Sequence, residues 1–117
     1  MRTTYTGSCH CGAVRFEAEV DTASGIECNC SYCSKAAPIL AFTGADGFRQ
    51  TAGADDLTDY RFNKNVIAHL FCKHCGISAF GRGKGPDGTE MAAINLRCVD
   101  DIDLDSVARK PFNGAAL

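Results

Sequence analysis

The sequence predicts a mainly β domain, and three observations carry that expectation. Apolar and charged residues alternate with a period of two. Short apolar runs recur along the chain. Turn-forming residues separate them. In the first run, Val14, Phe16, Ala18 and Val20 point one way and Arg15, Glu17 and Glu19 the other, as in a half-buried strand. Pro38–Thr43 reads as a short apolar strand, and further strands are expected at Phe48–Thr51, Leu57–Phe62, Val66–Phe71, Ile77–Phe80 and Met91–Leu96. The breaks between them are Gly44-Ala45-Asp46-Gly47, Gly53-Ala54-Asp55-Asp56, Asn63-Lys64-Asn65 and the stretch Gly81–Gly88. A short helix is expected after Asp105, over Ser106–Arg109. No linker interrupts the pattern, so residues 1–117 are read as a single domain.

Composition narrows the class of function. Apolar residues make up 45% and charged residues 22% of the chain, as expected of a globular protein with one core. A net charge of −2 gives no electrostatic footprint for nucleic acid or an anionic membrane. No apolar run approaches the ~20 residues of a membrane span. The first eight residues, Met1 to Ser8, hold no apolar signal segment, so a cytoplasmic location is expected.

Eight cysteines in a reducing compartment need a reason other than disulfides. They are clustered: Cys9-His10-Cys11, Cys28-Asn29-Cys30-Ser31-Tyr32-Cys33, Cys72-Lys73-His74-Cys75, and Cys98 apart. Cysteines two or three positions apart can turn to one metal ion, whereas disulfide geometry resists so short a loop. Zinc is the expected metal. Cys9, Cys11, Cys72 and Cys75 supply the four thiolates of a closed structural site, and Gly12 and Gly76 follow the two pairs. Glycine tolerates a positive φ, which lets each turn fold back and aim backbone N–H groups at sulfur. Such a site closes a loop of some sixty residues and would contribute substantially to folding.

Cys28, Cys30 and Cys33 remain as three ligands for a second zinc. Its fourth position could take water, a substrate thiol, or Cys98. An open position on zinc lowers the pKa of a bound water or thiol at neutral pH. A different pairing would put Cys30 and Cys33 with Cys72 and Cys75, and Cys9 and Cys11 with Cys28 and Cys98. The 38 residues between Cys33 and Cys72 exceed the usual ribbon spacing of about 15–20.

Two other motifs fail on inspection. The Gly-Lys of Gly81–Gly88 is followed by Gly85 and Pro86 rather than the Ser or Thr of a phosphate loop, so a hairpin loop is expected there. The alternating acids Asp101, Asp103 and Asp105 lack the glycine and glutamate of a calcium loop, with Ser106 and Phe112 in their places. His10 and His74 lie inside the cysteine turns and His69 on a strand, and none reads as a ligand or as a general base.

The ordered motifs Gly7-x-Cys9-x-Cys11-Gly12-x-Val14-x-Phe16, Cys28-x-Cys30-Ser31-x-Cys33, Phe71-Cys72-x-x-Cys75-Gly76 and Asn95-x-Arg97-Cys98 resemble the glutathione-dependent formaldehyde-activating family, which includes relatives of centromere protein V. The resemblance runs from Gly7 to about Asp103. It implies a β-tent fold, with antiparallel sheets gathered around a structural zinc on Cys9, Cys11, Cys72 and Cys75. It also implies a catalytic zinc on Cys28, Cys30 and Cys33, two zinc ions per chain, and glutathione as co-substrate. The implied activity is that of a carbon–sulfur lyase, joining a small-molecule thiol to an aldehyde as in S-(hydroxymethyl)glutathione. Arg61, Lys64, Arg82, Lys84 and Arg97 are candidates by charge for holding carboxylates. The competing reading is a non-catalytic binding module with two closed structural zinc sites, the second completed by Cys98.

Overall fold

In the computed structural model, residues 3–61, 68–85 and 87–116 are described. A three-stranded sheet is built from β1 (Thr3–Ser8), β2 (Arg15–Val20) and β5 (Phe48–Ala52), in the order β1-β2-β5. A seven-stranded sheet takes β3 (Ser24–Cys28), β4 (Leu40–Gly44), β6 (Leu57–Tyr60), β7 (Ala68–Cys72), β8 (Phe80–Lys84), β9 (Glu90–Asn95) and β10 (Ala108–Phe112). Its order is β10-β3-β4-β9-β8-β7-β6. A single helical turn, α1 (Cys33–Ala36), follows β3. No helix among the described residues is long and apolar enough to cross a membrane.

The mainly β expectation holds, and the alternation in β2 has the effect its period requires. Val14, Phe16, Ala18 and Val20 are all buried, and Arg15 and Glu19 are exposed. Phe16 meets Phe80 edge-on at 5.9 Å, and Phe48 lies 4.7 Å from Phe80, so aromatic rings of both sheets share one core. Ile39, Ile94 and Leu96 complete it, each with no exposed surface.

Several boundaries need correction. The helix expected over Ser106–Arg109 is absent: Leu104–Ser106 form one 3-10 turn, and Ala108–Phe112 form β10. The side chain of Asp103 accepts from the Asp105 N–H and so starts that turn, but Val107 is already extended and buried. The sheets are not wholly antiparallel either, since β10 runs parallel to β3 and places Phe112 opposite Cys28. Within Gly81–Gly88, residues 81–84 belong to β8, and the hairpin turn to β9 starts at Gly85. Phe62, the turn Asn63-Lys64-Asn65 and the start of the strand expected from Val66 lie outside the described residues.

Candidate metal centre and groove

The first cysteine turn leaves β1, and the second leaves β7. In the first, Gly12 donates to the Cys9 carbonyl at 3.3 Å, and the Val14 N–H points at Cys9 Sγ at 3.4 Å. In the second, Gly76 donates to the Cys72 carbonyl at 2.8 Å, and the His74 N–H points at Cys72 Sγ at 3.4 Å. Gly12 and Gly76 both adopt a φ of 81°, the left-handed region that a side chain disfavours. The β5–β6 turn braces both knuckles. Gly53 packs against the backbone of Ala13 and Val14, and Asp56 Oδ1 meets His74 Nε2 at 2.9 Å.

These turns bring four sulfurs together. Cys9, Cys11, Cys72 and Cys75 have Sγ atoms all within 4.8 Å of one another. Cys9 to Cys11 is 3.7 Å and Cys11 to Cys72 is 3.6 Å. Four thiolates at ~2.3 Å from one zinc stand about 3.8 Å apart, so the cluster has the dimensions of a tetrahedral zinc site rather than of disulfides. The N–H groups of Cys11 and Ile77 lower the Cys75 thiol to about 6, which readies it as a thiolate ligand.

Cys28, Cys30 and Cys33 form a second group with Sγ atoms within 4.8 Å of one another. Cys28 ends β3 and Cys33 opens α1, so the loop between them is short and folded back. The Cys30 N–H faces Cys28 Sγ at 3.5 Å, and the Cys33 N–H faces Cys30 Sγ at 3.4 Å. Burial opposes ionisation of Cys30, but the Cys33 N–H and the neighbouring thiols outweigh it, and its pKa is lowered. Cys33 is pushed up, first by burial and then by Cys30. Three sulfurs this close cannot all ionise without a cation among them. Among the described residues no fourth Cys, His, Asp or Glu joins this group.

The cluster opens into a groove of about 850 Å³ that also reaches His69, Asn95, Arg97 and Cys98. Tyr32, inside the cysteine loop, lies on the His69 ring with centroids 4.3 Å apart. Burial lowers the His69 pKa, against the charge of Asp59, so the imidazole is neutral at neutral pH. Asn95 is buried and joins three segments. Its Oδ1 accepts from Ile39 and Arg97 N–H groups at 3.4 and 3.1 Å, and its Nδ2 donates to the Ser78 carbonyl at 3.0 Å. Arg97 Nε donates to the carbonyl of Ala37, the left-handed residue that ends α1, at 3.2 Å.

The family model of the glutathione-dependent formaldehyde-activating enzyme matches residues 4–112 of this chain. The chain belongs to the glutathione-dependent formaldehyde-activating family. A crystal structure of a Rhodobacter sphaeroides protein is also similar, with a TM-score of 0.78 and 29% identity, over 90% of this chain and 99% of that one.

In this member of the formaldehyde-activating family, the seven clustered cysteines divide into the four and the three described above. The alternative that mixes Cys30 and Cys33 with Cys72 and Cys75 does not match that grouping. Cys98 lies in neither group. Its Sγ donates to the Ser78 carbonyl at 3.9 Å, and its pKa is raised to about 11, by burial first and then by the charges of Cys9 and Cys75. It stands outside both sulfur groups, on the wall of the groove.

The candidate cations also separate. Arg61, Arg82 and Lys84 line a different cavity of about 370 Å³, where Arg61 pairs with Asp59 at 3.0 Å and Arg82 lies 5.0 Å over the Phe48 ring. Lys64 lies outside the described residues. Arg97 is the candidate that reaches the cysteine groove. Sequence reading did not single out the pairing of Tyr32 with His69. A strand and a loop 37 positions away make that contact, and neither carries a local signal for it.

Proposed function

We propose that the protein is a zinc-dependent carbon–sulfur lyase acting on thiol–aldehyde adducts, of the kind the family's name implies for glutathione and formaldehyde. One observation carries this reading. Three convergent sulfurs, with no fourth donor beside them among the described residues, open into a groove large enough for a small molecule. Cys9, Cys11, Cys72 and Cys75 would hold the structural zinc, and Cys28, Cys30 and Cys33 the reactive one. Zinc at the second site supplies a Lewis acid that activates a thiol or polarises an aldehyde oxygen.

The chain's own residues do the rest. The groove holds thiol and aldehyde side by side, which converts a bimolecular encounter into a local one. In the synthetic direction, the thiol loses its proton, sulfur adds to the carbonyl carbon, and the carbonyl oxygen takes up a proton. Cleavage reverses each step: the C–S bond breaks with its electron pair passing to sulfur, and the hydroxyl proton departs as the carbonyl re-forms. A ring nitrogen of neutral His69 on the groove wall accepts and returns that proton. The chemistry requires reduced thiols, which suits the cytoplasm. The rival reading, a module with two closed zinc sites, would need Cys98 beside the triple cluster, and Cys98 sits against Ser78.

The test is exchange of formaldehyde with glutathione, followed by magnetisation transfer with zinc-loaded protein. The reading expects acceleration by the parent protein and only the background rate with Cys30→Ser, which should still hold one zinc. No acceleration by the parent with either glutathione or benzyl mercaptan as the thiol, or full acceleration by Cys30→Ser, would overturn it.

A further inference from the structure

We infer that the groove selects a thiol adduct with an apolar, uncharged body, in preference to glutathione itself. This rests on the lyase reading and sharpens its substrate class. Among the described residues four large apolar side chains are exposed, and three of them, Phe42, Ile77 and Phe112, line this groove. Ile26 and Leu40 continue the same wall. Exposed apolar surface gathered in a concavity beside reactive groups marks a ligand site rather than ordinary surface. Its charges fit glutathione poorly. Glutathione brings two carboxylates and one ammonium. Asp100 and Asp101 face the groove and could meet the ammonium, but among the described residues Arg97 is the one Lys or Arg side chain that lines it, so one carboxylate is left without a cation. Arg97 already donates through Nε to Ala37.

Benzyl mercaptan and glutathione serve as the probes, titrated separately into zinc-loaded protein while the backbone amide signals of Phe42, Ile77 and Phe112 are followed by NMR. Benzyl mercaptan should bind at least about tenfold more tightly, and Phe42→Ser should remove that preference. Equal or tighter binding of glutathione would overturn the inference. Movement of the same signals with protein concentration alone would assign the patch to a second copy of the chain and overturn it as well. Tight binding of benzyl mercaptan without turnover of its formaldehyde adduct would sink the lyase reading and leave the groove inference standing.

A separate observation concerns the segment after β10. We propose that Asn113–Ala116 is the back wall of the three-cysteine site, with Gly114 as its positioning residue. A Cβ on Gly114 would collide with Cys28 Sγ and stand 3.4 Å from Cys30 Cβ, so the bare backbone lies directly on the sulfur. Asn29, between Cys28 and Cys30, holds the end of β10 and two residues of the segment. Its N–H donates to the Phe112 carbonyl at 3.1 Å, its Nδ2 to Asn113 Oδ1 at 3.0 Å, and its Oδ1 accepts from the Ala115 N–H at 2.9 Å. The groove is lined by all three cysteines and Phe112, and Gly114 is not among its walls. The segment thus closes the flank of Cys28 and leaves the groove side for the incoming ligand. The family match ends at residue 112, so this wall lies beyond the matched region.

The full chain loaded with cobalt tests the proposal, since each site's thiolate absorption can be followed as metal is titrated. Gly114→Val and Asn29→Ala should each weaken the second ion by roughly 10-fold or more, as loss of outer supporting contacts does. The first ion and the far-ultraviolet circular dichroism should stay unchanged. Asn29→Asp, which keeps the acceptor for Ala115, should recover part of the loss. Parent-like affinity in both Gly114→Val and Asn29→Ala would overturn the proposal. A parent protein that binds one ion would overturn it together with the metal reading.

Discussion

Cys11 Sγ and Cys72 Sγ lie 3.6 Å apart although 61 positions separate them in the chain. Cys11 follows a strand of the three-stranded sheet and Cys72 ends a strand of the seven-stranded one, so a metal there fastens the two sheets to each other. Cys28, Cys30 and Cys33 fasten only one loop to itself. Cys72→Ser should therefore cost about 5 kcal/mol or more, roughly the whole stability of a domain this size. Cys30→Ser should lose one zinc and leave the fold cooperative. Metal analysis paired with thermal melts would show it, and equal destabilisation by both variants would contradict the division of roles.

The two glycines at φ 81° and 85° separate conformational cost from collision. A Cβ on Gly76 meets nothing within 4 Å, so Gly76→Ala should cost about 1 kcal/mol, from backbone strain alone. A Cβ on Gly53 would strike the Ala13 carbonyl and come 2.8 Å from Val14 Cα, both backbone atoms. Gly53→Ala should cost clearly more, about 2–4 kcal/mol, because the brace between the knuckles has to move. Urea unfolding of the zinc-loaded proteins compares them, and equal costs would disprove the packing argument.

Asn95→Ala would leave the Ser78 carbonyl and two N–H groups without their partner inside the core. About 2–3 kcal/mol should be lost. Asn95→Asp keeps the acceptor and loses the donor to Ser78, so it should also destabilise the fold. An Asn95→Ala variant as stable as the parent in urea would show that water replaces the amide.

His69 gives stability a pH dependence. Its pKa is lowered from 6.5 in the folded protein, chiefly by burial. The unfolded chain then binds the proton more readily, so stability rises with pH through this window. The contribution is complete above pH 6.5 and is lost as pH falls through the lower, folded value. His69→Gln should flatten this part of the curve when both proteins are unfolded in urea between pH 7.5 and 5. Identical slopes for parent and variant would contradict the burial of this ring.

The clustering of the cysteines was more legible in the sequence than the edges of the sheets. Cysteines two or three positions apart have little freedom but to converge, whereas the meeting of Cys9 and Cys11 with Cys72 and Cys75, 61 positions on from Cys11 to Cys72, depends on the fold. The alternation of β2 was equally plain, because one face packs on Phe80 and the other meets solvent. β10 was misread because all five of its residues are exposed, which erases the alternation, and Pro111 fits only the edge position it occupies. β3 carries little strand signal, because Ser24-Gly25-Ile26-Glu27-Cys28 holds a glycine and no apolar run. That glycine is there for Ile39, whose side chain fills the space a Cβ would take. The groove was invisible for a related reason. Phe42, Ile77 and Phe112 come from three distant segments, and their meeting is a property of the fold alone.

Zinc K-edge absorption on the fully loaded protein distinguishes an open three-cysteine site from a closed one. One closed and one open site predict two zinc ions per chain and an average of about 3.5 sulfurs per zinc, with the remainder oxygen or nitrogen. Four sulfurs per zinc, with no lighter ligand, would close the second site and rule out the open coordination position.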